Sequence, residues 1–203
     1  MKADLSRTMR RNFASRDELV AYVREQFSTT ASRDPAISST LGGRQAAQTA
    51  LNKVEPATYA QTRNSLKGAV TRLSPYLRYG VLSLAEVRDA VLLKVSRPSE
   101  VKKLINELAW RDYWQRLYAK LGDHVWQDQE PYKTGFTPND YAEVLPPDIE
   151  AGATGRVCID HFSQELHQTG YLHNHARLWL AAYLVHWRHI RWQTGSRWFL
   201  MHL

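Results

Sequence analysis

Asn106-Glu107-Leu108-Ala109-Trp110-Arg111-Asp112-Tyr113-Trp114 is the stretch on which the reading of this chain turns. Its spacing predicts a helix that sets Glu107, Trp110, Arg111 and Trp114 at i, i+3, i+4 and i+7, on one face. An acid, a guanidinium and two indoles make a poor core stripe. They make a good wall for something flat, polar and anionic. Further along, Tyr171-Leu172-His173-Asn174-His175-Ala176-Arg177 repeats that chemistry on a second candidate helix. Two such helices facing each other suit an aromatic cofactor with phosphates, and a nucleobase. Taken singly, the residues have plainer readings. Glu107 could be a surface acid paired with Lys103 or Arg111, and Trp110 could be core.

Outward from this stretch, helical periodicity dominates and no alternating strand pattern appears. Ser15-Arg16-Asp17-Glu18 reads as a capping box opening an amphipathic helix with Leu19, Val20, Val23 and Phe27. Residues 28–43 read as a loop. Short helices follow from Gln45 to Asn52, from Pro56, and from Ser74-Pro75 to Gly80. Ser83-Leu84-Ala85-Glu86 is a second capping box, launching a helix to about Val95. A long helix is expected from Ser99 to Leu121, and residues 122–155 as an extended, solvated connection. The last helices are expected from Cys158 to Thr169, from His173 to Ile190, and from near Gly195. The expected fold is all-α, an irregular helical domain rather than an up-down bundle.

The 203 residues are enough for a substantial core, and the aromatic fraction of 11% is high. The single cysteine, Cys158, excludes an internal disulfide and suits a reducing, cytoplasmic location; it reads as a small buried hydrophobe. Nothing resembles a signal peptide or a spanning segment, so no membrane association is expected. The net charge of +7 favours a polyanionic partner. Its distribution says more than its sum. Residues 171–203 carry four arginines and no acid, interleaved with four tryptophans and five histidines. Residues 121–150 carry seven acids against Lys133 alone. Charge that tracks phosphate beside rings that stack on bases is what a nucleic-acid or dinucleotide binder needs. The alternative is basic residues scattered over the surface and tryptophans in the core.

Thr71-Arg72-Leu73-Ser74 precedes Pro75 at a helix start, where N–H groups, hydroxyls and a neighbouring guanidinium can hold phosphate. Ser74 could equally do no more than cap its helix. His173, His175, His186 and His189 have no acid or cysteine nearby in a ligand pattern, so no metal site is expected. Asn174 and Arg177, at i and i+3, read as a polar pair facing a site. The chain has no GxGxxG, Walker loop or GxSxG. A nucleotide cofactor would sit in a helical pocket, not at a sheet edge.

These pieces together resemble the FAD-binding helical domain of the DNA photolyase/cryptochrome family. The matches run in order: Tyr59 with Arg63, the run Thr71 to Ser83, Asn106 to Arg111, Thr154-Gly155 with Ile159-Asp160, Thr169 to Arg177, and Arg191-Trp192 through Trp198-Phe199. They divide the chain into an N-terminal helical segment, 1–58, and a photolyase-like domain, 59–203. The resemblance implies FAD as cofactor, with Tyr59, Thr71, Arg72, Leu73 and Ser74 at its phosphates and ribityl chain. Arg111 would reach the cofactor too, and Asn174 and Arg177 would line its ring system. Glu107, also counted with the cofactor residues, would bond flipped pyrimidines while Trp110 stacks on them; base flipping is a general route for such enzymes. Trp192 would pass electrons to the flavin. The implied activity is light-driven repair of pyrimidine dimers in DNA by electron transfer from reduced FAD, as a deoxyribodipyrimidine photo-lyase. A cryptochrome-like photoreceptor and a cofactor-free DNA-binding helical fragment are the alternatives.

Departures from the family pattern qualify the match. Leu104 and Tyr171 stand where many members have tryptophan, and Val70 replaces a hydroxyl-bearing residue. About sixty residues precede the first match, so an antenna-less form with no antenna chromophore is expected. Trp198 to Leu203 is apolar and uncapped, so the domain reads as incomplete at its C-terminus, a truncated form whose activity is in question. The acid that partners Arg177 in the family has no counterpart here, so Arg177 is expected to stand unpaired and this chain to bind FAD weakly or not at all.

Overall fold

The computed structural model describes residues 9–31 and 38–203, whose contacts fall into two units, one within Met1–Ile37 and one over Ser38–Leu203. The first holds α1 (Arg16–Gln26) and α2 (Ser28–Ala31). Ser15 caps α1, its Oγ accepting from the Glu18 N–H at 3.1 Å. The reciprocal half of the expected capping box is diverted. The Glu18 carboxylate accepts from the Ala14 N–H at 2.6 Å and pairs with Arg10 at 2.5 Å. No α1 residue is buried, so its apolar stripe stays partly exposed. The loop expected over 28–43 is helical at Ser28–Ala31, and 32–37 lie outside the described residues.

The second unit is all-α, with an isolated Ala142–Ile190 bridge and no strand among the described residues. Its first half contains α3 (Arg44–Asn52), α4 (Pro56–Thr62), α5 (Ser74–Arg78), α6 (Leu84–Leu92) and α7 (Lys102–Leu121). They close on one core in which Ala47, Leu51, Leu73, Val87, Val91 and Leu104 are all but inaccessible. Residues 38–58, grouped in the sequence with the N-terminal segment, thus supply Ala47, Leu51 and Val54 to this core. Ser83 and Glu86 form the expected capping box on α6, and Glu86 also pairs with Arg44. Lys94, just past α6, donates from Nζ to the carbonyls of Leu51, Asn52 and Val54 at 2.7–3.0 Å. A cation there satisfies the free carbonyls at the end of α3.

The second half contains α8 (Pro147–Glu150), α9 (Val157–Thr169), α10 (Asn174–Ala182) and α11 (Trp192–His202), around a second core centred on Ile149, Leu166, Leu172, Leu180, Leu184 and Ile190. Gly170 ends α9 in the left-handed conformation, φ +65°, as its sequence position foretells. The helix expected to run to Ile190 does not. It widens into a π turn over Tyr183–Trp187, and His189 takes φ +46°. The last helix then begins at Trp192, not near Gly195. Gly195 is a packing glycine inside it, since a Cβ there would lie 3.2 Å from Leu184 Cδ1.

Two further expectations are corrected. Cys158 is exposed rather than buried, because α9 turns Ile159, Phe162 and Leu166 inward and leaves 158 on the opposite face. Residues 122–155 are largely exposed over 122–140, as expected, but they are not a free connection. Asp148 grips Arg188 through two bonds at 2.7 and 3.1 Å, Glu143 pairs with Arg191 at 2.7 Å, and Asp128 accepts from the Trp192 indole at 2.6 Å. The acidic run is a strap laid across the basic C-terminal elements. Among the described residues no helix is long and apolar enough to cross a membrane.

Candidate functional site: a cationic cleft between two cores

Residues 38–43, α5, the second half of α7 from Arg111, the turn at Val125 and Trp126, and the elements from Thr169 to Leu203 border one cleft of about 1330 Å³. That exceeds the roughly 300–1,000 Å³ of ordinary ligand pockets, so it admits a large ligand. Four of the expected site residues meet on its walls: Ser74, Arg111, Arg177 and Trp192.

Arg177 is the decisive one. It lies on α10, one turn in, and its Nε donates to the Leu172 carbonyl at 2.8 Å. No carboxylate among the described residues pairs with it. Burial pushes its guanidinium below the ordinary arginine range, partly offset by the neighbouring Tyr171 phenol. A desolvated cation without a counter-charge is costly, and an anion in the cleft relieves that cost. Ser74 is equally unspent. It is the first residue of α5, makes no capping bond, and lines the cleft with Arg78 close behind. The reading of Ser74 as a mere cap is therefore set aside.

Thr71 to Leu73 lead into Ser74 through an unusual backbone, and none of the three lines the cleft. Arg72 sits at φ +53°, a region non-glycine residues enter at a cost of about 1–3 kcal/mol, and its guanidinium lies 5.0 Å from the Tyr171 ring centre. The Thr71 hydroxyl accepts a long bond from the Leu73 N–H, 3.4 Å. The Leu73 side chain is buried in the first core, so only its backbone can face a ligand.

Glu107, Tyr59 and Arg63 form a second cluster. Arg63 Nη1 donates to Glu107 Oε1 at 2.5 Å, and its guanidinium lies 5.9 Å from the Tyr59 ring centre. Glu107 thus pairs with Arg63, 44 positions away, not with Lys103 or Arg111. Burial, with the Glu107 charge adding to it, pushes the Tyr59 phenol up. Burial does the same to Tyr171, whose electrostatic neighbours include Arg72, Arg177 and Tyr59. Tyr171 therefore links the two groups. Trp110 is not core: it is 54% exposed, stacked on Trp114 at 6.3 Å and edge-on to Tyr113. Neither Glu107, Trp110 nor Asn174 is on the cleft wall, and Asn174 is exposed at the start of α10.

His173 is buried, its Nδ1 accepting from the His175 N–H at 3.1 Å, and burial lowers its pKa. Among the described residues no three metal-ligating side chains cluster. Sequence reasoning missed Trp126, Gln115 and Arg78 on the cleft wall. Arg78 lies inside the Thr71–Ser83 run and was legible there. Trp126 was hidden by its place in the acidic strap.

The fit to FAD is good on the residues present: a large cleft, a desolvated and unpaired arginine, further cationic groups in Arg78 and Arg111, and an uncommitted hydroxyl at Ser74. Comparisons with known proteins agree. A family described as the FAD binding domain of DNA photolyase matches residues 104–203. The chain is 31% identical over 145 residues to the deoxyribodipyrimidine photo-lyase of Streptomyces griseus, covering 71% of this chain and 31% of that protein. It is 33% identical over 147 residues to the chloroplastic/mitochondrial cryptochrome DASH of Solanum lycopersicum, covering 70% and 25%. The chain thus spans about a third or less of the curated relatives it matches. Among solved structures it resembles the cryptochrome of Synechocystis, with TM-score 0.64, 25% identity, and 81% and 36% of the two chains covered. It also resembles an archaeal photolyase of Sulfolobus tokodaii solved with two FAD molecules, with TM-score 0.62, 27% identity, and 82% and 37% covered. The chain belongs to the DNA photolyase/cryptochrome family and carries its helical FAD-binding domain.

Proposed function

We propose that this chain serves the light-driven repair of pyrimidine dimers in DNA. Bound FAD supplies light-driven one-electron chemistry. Arg177 and Arg111, with Ser74 and the Thr71–Leu73 backbone, hold it in the cleft and compensate its negative charge. Tyr59 and Tyr171 shield the far side from water. Glu107 offers carboxylate oxygens to the amide and imino groups of a flipped pyrimidine pair, while Trp110 offers its open face for stacking. Trp192, on the cleft wall, would be the residue that passes electrons to a bound cofactor.

The observation that carries repair over sensing is the state of α7 next to Arg111. Glu107 and Trp110 are both accessible, and an indole 54% exposed on a helix that buries Leu104 and Leu108 is available to a ligand. A photoreceptor has no use for such contacts. The DNA is recognised through the lesion.

The test is a dimer-containing oligonucleotide incubated with FAD-loaded, reduced protein, in light and in darkness. Light-dependent repair is expected. Glu107→Gln lowers it about tenfold or more, the worth of one hydrogen bond to a charged group. Light-driven flavin reduction without repair would instead support a cryptochrome-like photoreceptor. Salt-dependent DNA binding without flavin uptake would support a cofactor-free module.

A further inference from the structure

Trp192 does not stand alone on the cleft wall. The Trp126 indole, from the turn Gly122–Trp126, stacks on it with ring centres 6.1 Å apart and planes only 6° from parallel. The Trp192 Nε1–H donates to Asp128 Oδ1 at 2.6 Å, a short bond to a carboxylate. Gln193 reinforces the arrangement, its Nε2 donating to Asp128 Oδ1 at 3.1 Å and to the Trp126 carbonyl at 3.2 Å. On α11, the Arg197 guanidinium lies 5.3 Å from the Trp126 ring centre.

These contacts act on the two indoles in opposite senses. A carboxylate accepting the N–H stabilises positive charge on Trp192 as an electron leaves it, and stands ready to take its proton. A guanidinium against Trp126 disfavours positive charge there. The stack therefore has a direction, with the electron vacancy resting on Trp192 and the proton moving to the strap.

We propose that Asp128 is the proton acceptor for Trp192 and, with Trp126, makes Trp192 the most readily oxidised indole of the domain. In the step, one electron leaves the Trp192 indole for a one-electron oxidant in the cleft, a light-excited flavin when the cofactor is bound. The Trp192 N–H bond breaks and an O–H bond forms at Asp128 Oδ1, leaving a neutral indolyl radical and a protonated carboxyl. Return of the electron from the reduced oxidant to the radical, and of the proton from the Asp128 carboxyl to nitrogen, restores all three groups. The proposal rests on the role given to Trp192 above and adds Asp128 and Trp126 to it. Tyr132 stands near this carboxylate, its phenol pushed up by burial first and then by the Asp128 charge, with Arg191 opposing. It is thereby kept as a neutral phenol and does not compete for the proton.

The test needs no cofactor. The protein is illuminated with a ruthenium polypyridyl photosensitiser, a sacrificial acceptor and dissolved dioxygen, and oxidised tryptophans are mapped by peptide mass spectrometry. Exposure alone predicts attack first at Trp187, 78% exposed, then at Trp114 and Trp110 at 58% and 54%. The proposal predicts early oxidation concentrated at the half-buried Trp192. Asp128→Asn keeps an acceptor for the N–H but cannot take its proton. It should cut the Trp192 share at least threefold while circular dichroism stays unchanged, and Asp128→Glu should restore most of it. Oxidation that follows exposure in the wild type, or a Trp192 share indifferent to Asp128→Asn, overturns the proposal. Because the photosensitiser replaces flavin, either result is independent of whether the domain binds FAD.

Discussion

At the scale of single residues, what matters is which polar groups the fold leaves unsatisfied. Arg177 spends only its Nε, on the Leu172 carbonyl, and has no counter-charge among the described residues, and Ser74 makes no capping bond, whereas Glu107 and Asp128 are held by Arg63 and Trp192. The sequence placed Glu107, Arg111 and Arg177 among the functional residues because charge on a helical stripe beside indoles has no core role. It could not name Arg63 as the partner of Glu107, since the pair spans 44 positions and depends on how α4 meets α7. Cys158 fails for a different reason. A small apolar type says little about which face of a helix it occupies, and only the register set by Ile159, Phe162 and Leu166 decides. As the only thiol, and an accessible one, it should react to completion with a maleimide in the native protein at the same rate as in urea, within about threefold. Labelling that requires denaturant would place it inside.

At the scale of elements, the caps were legible and the interruptions were not. Ser83-Leu84-Ala85-Glu86 has a local pattern whose bonds close within four residues, and the structure shows both. Its Glu86 is held down to about 2, from an ordinary 4.5, first by Arg44 and then by the Ser83 backbone and hydroxyl. The folded form thus prefers the carboxylate. Its stabilisation is complete above the unfolded value of 4.5 and disappears as pH falls through about 2. Urea midpoints of wild type and Glu86→Gln should therefore differ at pH 7, keep that gap down to about 4.5, and converge toward pH 2. A gap independent of pH would show that the loss at position 86 is not one of charge. The π turn at Tyr183–Trp187 and the early start of α11 had no such local signal. Leu184 packs on Gly195 from another element, and the helix yields to that contact.

At the scale of the molecule, two cores built from separate halves of Ser38–Leu203 leave a gap between them, and the gap is the site. All-α architecture followed from periodicity alone. The strap did not, because seven acids in a proline-bearing run look solvated until their partners in 171–203 are seen beside them. The charge asymmetry noted in the sequence is partly resolved inside the fold through Asp148–Arg188 and Glu143–Arg191. Among the described residues of 171–203, Arg177 and Arg197 have no carboxylate partner; Arg197 is exposed and Arg177 is partly buried, and on Arg177 the functional account depends. The most direct measurement is titration of the purified protein with FAD, followed by flavin fluorescence, for wild type and Arg177→Gln. Saturable one-to-one binding that the substitution weakens about tenfold or more is the predicted result, since about 1.4 kcal/mol separates each decade of affinity. Absence of saturable binding, or affinity unchanged by the loss of the Arg177 charge, contradicts the account.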